Sequence, residues 1–168
     1  INSAWSNLSD CEVVVMHFWN DLHLPIASLD DKTRVVSLSK HSGKRLTDDY
    51  RPQGARYYVD NVFEAIEPGQ FYFDKKKSVL HYLPKPDEDM SRAKVVVPRL
   101  PALVRFEGKP EQNQFVEFIE LRGIAFSDTH WDLPPNDANT RQSSESVPGA
   151  IAASGLRHGT IARCKLSN

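Results

Sequence analysis

Two stretches near the C-terminal end decide the fold: "FIELRGIAFSD" (Phe118–Asp128) and "HGTIARCKLSN" (His158–Asn168). Laid over each other at a constant offset of 40 residues, from Phe118 to His158, they match Leu121 with Ile161, Ile124 with Cys164 and Phe126 with Leu166. Ser127 then matches Ser167, and Asp128 matches Asn168. Upstream, "LVRFEG" (Leu103–Gly108) resembles "AIAASG" (Ala150–Gly155) at an offset of 47, from Leu103 to Ala150. The order is short strand, glycine turn, strand, polar end, repeated once. Self-similarity at such a spacing is the mark of a solenoid. The units have strand periodicity and no helical period, so the expected architecture is a parallel β-helix. Leu121 is expected over Ile161 and Phe126 over Leu166, buried together, with Cys164 a small apolar member of the stack. The end coil is expected to fray after about Gly149 or to self-associate through its open edge. The excess length, Thr129–Gly149, reads as a polar loop pushed out from one corner, where solenoid insertions often carry binding residues.

Working outward, "GQFYFDKKKSVLHYLP" (Gly69–Pro84) reads as a hairpin. Phe71 and Phe73 share one face and Tyr72 the other. On the return strand Val79, His81 and Leu83 alternate with Leu80 and Tyr82. Burial on both faces is the expected arrangement, so that Phe73→Ala costs about 3–5 kcal/mol. An exposed aromatic platform for sugar is the competing reading. Further upstream, Glu12–Trp19 is β-rich, and "DDKT" joins Pro25–Leu29 to Arg34–Leu38 as a hairpin. Ser39–Gln53 reads as a loop. Asp60 is placed to cap a short helix over Asn61–Ile66, ended by "EPG". "PKPDEDMSRA" reads as a solvated linker.

The chain has 168 residues, 40% hydrophobic and 26% charged, so it can bury a core and is not disordered by composition. A net charge of −1 leaves no electrostatic footprint for nucleic acid. The longest apolar run, around Val13–Met16, is far too short for a membrane span. Cys11 and Cys164 stand far apart with no metal-ligand spacing, so no metal or cofactor is expected and a disulfide is left open. The chain begins at Ile1 without an initiator Met, which fits either processing or an excised piece of a longer protein. No Ser-His-Asp set, phosphate loop or dinucleotide fingerprint appears.

"RYYVDNVFEAIEPGQFYFDKKKSVLHYLP", "VVVPRLPALVRFEG" and "LRGIAFSDTHW" resemble the bacterial right-handed parallel β-helix proteins related to glycoside hydrolase family 141. Asn61, Phe63, Glu64, Ala65, Pro68, Gly69, Tyr72, Asp74, Leu80, Tyr82 and Pro84 carry the likeness. Gln70, Phe71 and Ser78 depart from it. It runs from about Arg56 to Asn168. The resemblance implies an all-β chain: a strand-rich insertion domain over residues 1–94, then the first coils of a right-handed parallel β-helix over 95–168. It also implies that the hairpin belongs to the insertion domain's core. It further implies a parent glycoside hydrolase, extracellular or periplasmic, acting on plant-type polysaccharide, with the remaining β-helix coils as structural partners. Glycosidic hydrolysis needs two facing carboxyl groups, about 5–5.5 Å apart for retention or 6.5–9.5 Å for inversion. No such pair can be assigned, so this stretch is expected to be inactive alone. A non-catalytic glycan-binding or structural module, or part of a β-helix lyase or epimerase, remains an alternative. For a lyase, Arg122, Arg157 and Arg163 exist without a defined cluster.

The compact mixed cluster is Asp128, His130, Trp131 and Asp132. As a substrate site, Trp131 would stack on a sugar ring while His130 or an acid bonds its hydroxyls. As structure, Asp128 caps a turn, Trp131 covers the coil end and His130 is solvated. Asp137 and Glu145 lie in the polar loop, and His17 and His23 flank Trp19 where a cleft is conceivable.

Overall fold

The computed structural model describes all residues except Asp48, Asp49, Arg51, Pro52 and Asn168. The loop expected over Ser39–Gln53 and the match of Asp128 to Asn168 fall partly outside the described residues. The chain is all-β. The helical segments among the described residues are three-residue 3-10 turns. Two compact units form: unit 1 is Ile1–Ala93 with Leu133–Glu145, and unit 2 is Lys94–Asp132 with Ser146–Asn168.

Unit 1 is built on an antiparallel sheet of β1 (Glu12–Met16), β2 (Asp21–Asp30), β3 (Val35–Leu38) and β4 (Tyr57–Asp60), in the order β3-β2-β1-β4. Alternation places Val13 opposite Leu24 and Val15 opposite Leu22 on one face. With Cys11, Ile26, Val62 and Ala138 these make the core. The β2–β3 turn closes on Asp30, whose Oδ1 accepts from the backbone N–H of Lys32 (2.9 Å) and Thr33 (3.2 Å). These hydrogen bonds, those from Thr33 first, hold the Asp30 carboxyl below its usual range. Strand β2 starts at Asp21, earlier than Pro25, because a proline inside a strand removes one ladder donor and mimics a strand start. Strand β1 ends at Met16, short of Trp19. Asp60 does not cap a helix. It ends β4, opposite Glu12, and its Oδ1 accepts from the N–H of Asn61 at 2.7 Å. The helical turn that follows is only Phe63–Ala65, with Val62 at its N-cap.

The expected hairpin is present, with β5 (Phe71–Asp74) antiparallel to β6 (Val79–Tyr82) and Phe73 opposite Leu80. Its tip is an Asx turn, with Asp74 Oδ1 accepting from the N–H of Lys76 and Lys77, both at 3.0 Å. Burial on both faces is not found. Tyr72 is 5% exposed, donates its hydroxyl to Asp10 Oδ2 at 3.0 Å and packs beside Phe63. Phe71, Phe73 and Leu80 are 66%, 44% and 43% exposed. Strand alternation sorts side chains onto two faces, but only tertiary packing chooses which face is covered.

Part of the excursion between the repeats is likewise no solvated loop. Within it, Leu133–Glu145 belongs to unit 1. Asn139 bridges Leu22, and Ala138 O accepts from His23 N–H at 2.7 Å. Thr140 N–H donates to Asp21 O at 3.1 Å, and Ala138 is 4% exposed. The segment thus satisfies backbone groups of β2 beyond the end of β3.

Unit 2 holds four parallel two-stranded pairs: β7 (Val104–Glu107) with β11 (Ile151–Ser154), β8 (Val116–Glu117) with β12 (Leu156–Arg157), β9 (Glu120–Arg122) with β13 (Thr160–Ala162), and β10 (Ala125–Ser127) with β14 (Lys165–Ser167). Leu121 pairs with Ile161 and Phe126 with Leu166, the register set by the offset of 40. The two offsets have one cause. The first passage inserts Gly108–Phe115, a small excursion closed by the Lys109–Gln114 bridge, where the second passage has only Gly155. Left-handed corners recur in the same alignment: Phe118 (φ 58°) with His158 (φ 52°), and Gly123 (φ 67°) with Arg163 (φ 56°). Gly108 and Gly155 let the two passages touch, since a Cβ on Gly108 would lie 2.6 Å from Gly155 O. The paired apolar residues are not buried together. Phe126 is 8% exposed, whereas Ile161 and Leu166 are 52% and 57% exposed.

Candidate functional site

The sequence-derived cluster follows β10. Asp128 takes a left-handed conformation (φ 63°), which an aspartate tolerates, and its Oδ2 accepts from Ser127 Oγ at 2.6 Å. The chain then turns, pinned by His130 N–H donating to Leu100 O at 2.9 Å. His130 Nε2 and Asp132 Oδ2 meet at 2.7 Å, and Trp131 is half-buried between them in sequence. His130 and Asp132 are therefore brought together, while the bond made by Asp128 Oδ2 turns back to its neighbour. An exposed pair of this kind contributes at most about 1 kcal/mol to stability. It can orient an imidazole toward a hydroxyl, and nothing in it supplies a nucleophile facing an acid.

Asp137, Glu145, Arg122 and Arg157, also singled out in the sequence, are occupied structurally. Asp137 Oδ1 accepts from Asn139 N–H at 3.0 Å, and Glu145 faces Arg141 at 3.6 Å. Arg122 is paired with Glu120, and the Arg157 guanidinium sits 3.3 Å above the Phe115 ring centre. Both cysteines are free thiols, in different units. Burial first, then the charges of Glu64, Asp10 and Asp60, push the Cys11 thiol up to about 11. Among the described residues no group of three or more His, Cys, Asp and Glu side chains is placed to hold a metal ion. No helix among them is long and apolar enough to cross a membrane.

Unit 1 carries two further features, which sequence reasoning touched only through the flanking of Trp19 by His17 and His23. The first lies on the face of the sheet opposite the core. His23 Nδ1 meets Glu12 Oε1 at 2.6 Å, and its Nε2 lies 3.7 Å from Asp21 Oδ2. Asp21 also accepts from Thr140 Oγ1. Tyr58, across β1 from His23, has its hydroxyl pushed up by burial and then by Asp60, Asp21 and Glu12. Beside them runs a groove of about 820 Å³, with Asp10, Glu12, Tyr58, Asp60, Glu67 and Phe71 among its walls. The two-residue spacing of Glu12 and Val14, and of Asp21 and His23 in alternation with Leu22 and Leu24, was the available signal. The second feature is aromatic. Phe18 and Trp19 form the tip of the β1–β2 turn, and Tyr50 packs on Phe18 at 4.9 Å.

Comparison of this chain with family models, with curated proteins and with solved structures yields no match. The resemblance to β-helix proteins related to glycoside hydrolase family 141 thus remains an expectation from the residues quoted for it above.

Proposed function

We propose that this chain is a non-catalytic part of a secreted carbohydrate-active protein: a strand-rich insertion module over residues 1–94, then the first two coils of a right-handed parallel β-helix over 95–168, from which Leu133–Glu145 departs to join unit 1. The parent activity is glycoside hydrolysis of plant-type polysaccharide, and this part serves in holding the glycan. The observation that carries the reading is the set of four consecutive parallel pairs in unit 2, three of them at the one offset of 40 residues. Repeated left-handed corners support it, as does the stack of Phe118 on His158 at 4.9 Å and 10° between ring planes. Like residues stacked at like corners are what successive coils of a solenoid produce. The glycan contact rests on His130, Trp131 and Asp132, with Asp128 setting the turn that presents them. A half-buried indole beside an oriented imidazole offers a stacking face and a hydroxyl partner. Location outside the cell, or in the periplasm, follows from the size of such a substrate.

The test is affinity electrophoresis of the whole chain through gels containing arabinoxylan, xyloglucan or pectin, with reducing-sugar release measured in parallel. Retardation by a polysaccharide, lessened in His130→Ala and without sugar release, is the expected result. Free migration through every gel sinks the carbohydrate reading. Sugar release abolished by substitution of one carboxylate in this chain sinks the non-catalytic one.

A further inference from the structure

The β1–β2 connection carries side chains that a turn does not ask for. His17 N–H donates to Asn20 O at 2.9 Å, leaving Phe18 and Trp19 as the two residues of the tip. Tight two-residue loops favour Asn, Asp or Gly at positive φ. Phe18 and Trp19 are large aromatics, and neither is at positive φ. The core does not use them either, since they are 58% and 63% exposed. A local rule broken without a packing gain is a mark of function. The rings nevertheless hold one another. Phe18 meets Trp19 edge to face at 4.4 Å and 87°, and meets Tyr50 at 4.9 Å and 77°. This preorganises an aromatic surface in water, with few rotamers left to freeze on binding. Its rim is polar and fixed: Asn20 Nδ2 donates to Thr140 O at 3.0 Å, and Lys44 Nζ donates to Asn20 Oδ1 at 2.8 Å.

We propose that the Phe18–Trp19 tip, backed by Tyr50, is a second glycan site: a stacking platform for one ring of a neutral oligosaccharide. It rests on the carbohydrate reading above and adds a site in unit 1. A pyranose has an apolar C–H face and a rim of hydroxyls. The face covers the Trp19 indole while the hydroxyls reach the Lys44 ammonium and the Asn20 amide. A bilayer is the other surface that takes exposed Trp and Phe, but interfacial anchors carry basic flanks. Here the tip is followed by Asn20 and Asp21, and Lys44 beside it bonds the Asn20 amide oxygen.

The experiment titrates the whole chain with cellohexaose and xylohexaose by calorimetry and tryptophan emission, with phosphatidylcholine vesicles as a control. Trp19→Ala is expected to weaken oligosaccharide binding by about tenfold or more, the equivalent of about 1.4 kcal/mol. Trp19→Phe keeps a ring and is expected to retain most of the affinity. Unchanged binding in Trp19→Ala overturns the platform and leaves the carbohydrate reading standing. Absence of binding by the native chain to either oligosaccharide overturns the platform. If free migration through every polysaccharide gel accompanies it, the carbohydrate reading falls too. Vesicle binding lost in Trp19→Ala assigns the tip to a membrane surface and overturns the proposal.

Discussion

Unit 1 and unit 2 are both made of short strands, yet among the described residues ten hydrophobic side chains are buried in unit 1 and one, Phe126, in unit 2. The cause is pairing. In unit 1, β1 has a neighbour on each side and β2 is flanked by β1, β3 and the Asn139 bridge, so one sheet face closes over Leu22, Leu24 and Ile26. In unit 2 each strand has a single partner, and a two-stranded pair is marginal in water. Parallel strands are ordinarily buried on both faces. Those of unit 2 leave Ile161 and Leu166 half in solvent. Extended structure therefore does not by itself supply a core. The number of neighbours per strand does.

Three substitutions bear on that contrast. The largest effect is expected at Leu24, which is fully buried, so Leu24→Ala should cost about 2–5 kcal/mol in urea denaturation. A cost below about 1 kcal/mol would mean that the unit 1 core is loosely packed. Next is Gly108→Ala. Its new methyl meets the Gly155 carbonyl oxygen, a backbone atom that yields only if the two passages separate. A loss of about 1–3 kcal/mol is expected, the usual cost of overpacking. Hydrogen exchange should place that loss in β7, β8, β11 and β12 and leave unit 1 protected. Uniform loss across both units would contradict the division drawn here. The smallest effect is expected at Phe73. With 44% of the residue in solvent, Phe73→Ala should change stability by no more than about 1 kcal/mol. The cost of about 3–5 kcal/mol expected from the sequence would return the ring to a core.

The parallel register was legible because matched residues at constant spacing fix both direction and alignment, as Leu121 with Ile161 does. The hairpin was legible from alternation around an Asp-led turn. Alternation does not say which face is covered: burial of both was expected, and Tyr72 is buried while Phe73 is not. The His130–Asp132 contact was readable from spacing, since residues two apart in extended chain share a side. The place of Leu133–Glu145 was not, because a segment held by backbone hydrogen bonds and one small buried residue, Ala138, carries no periodicity. The aromatic tip escaped because Tyr50 reaches Phe18 from a distant loop with no pattern linking them.

That late segment also orders events in time. Strand β2 leaves the ribosome before the residues that complete its edge, Ala138 to Thr140, which emerge only after β7–β10 have been made. Closing so long a loop costs only slightly more entropy than closing a short one, but it must wait for the chain to exist. The nascent protein thus holds a sheet with an open flank at Leu22 while the first parallel strands are synthesised. The edge of β2 at Leu22 can therefore be completed only once residues 138–140 have emerged, and not by the first 93 residues alone.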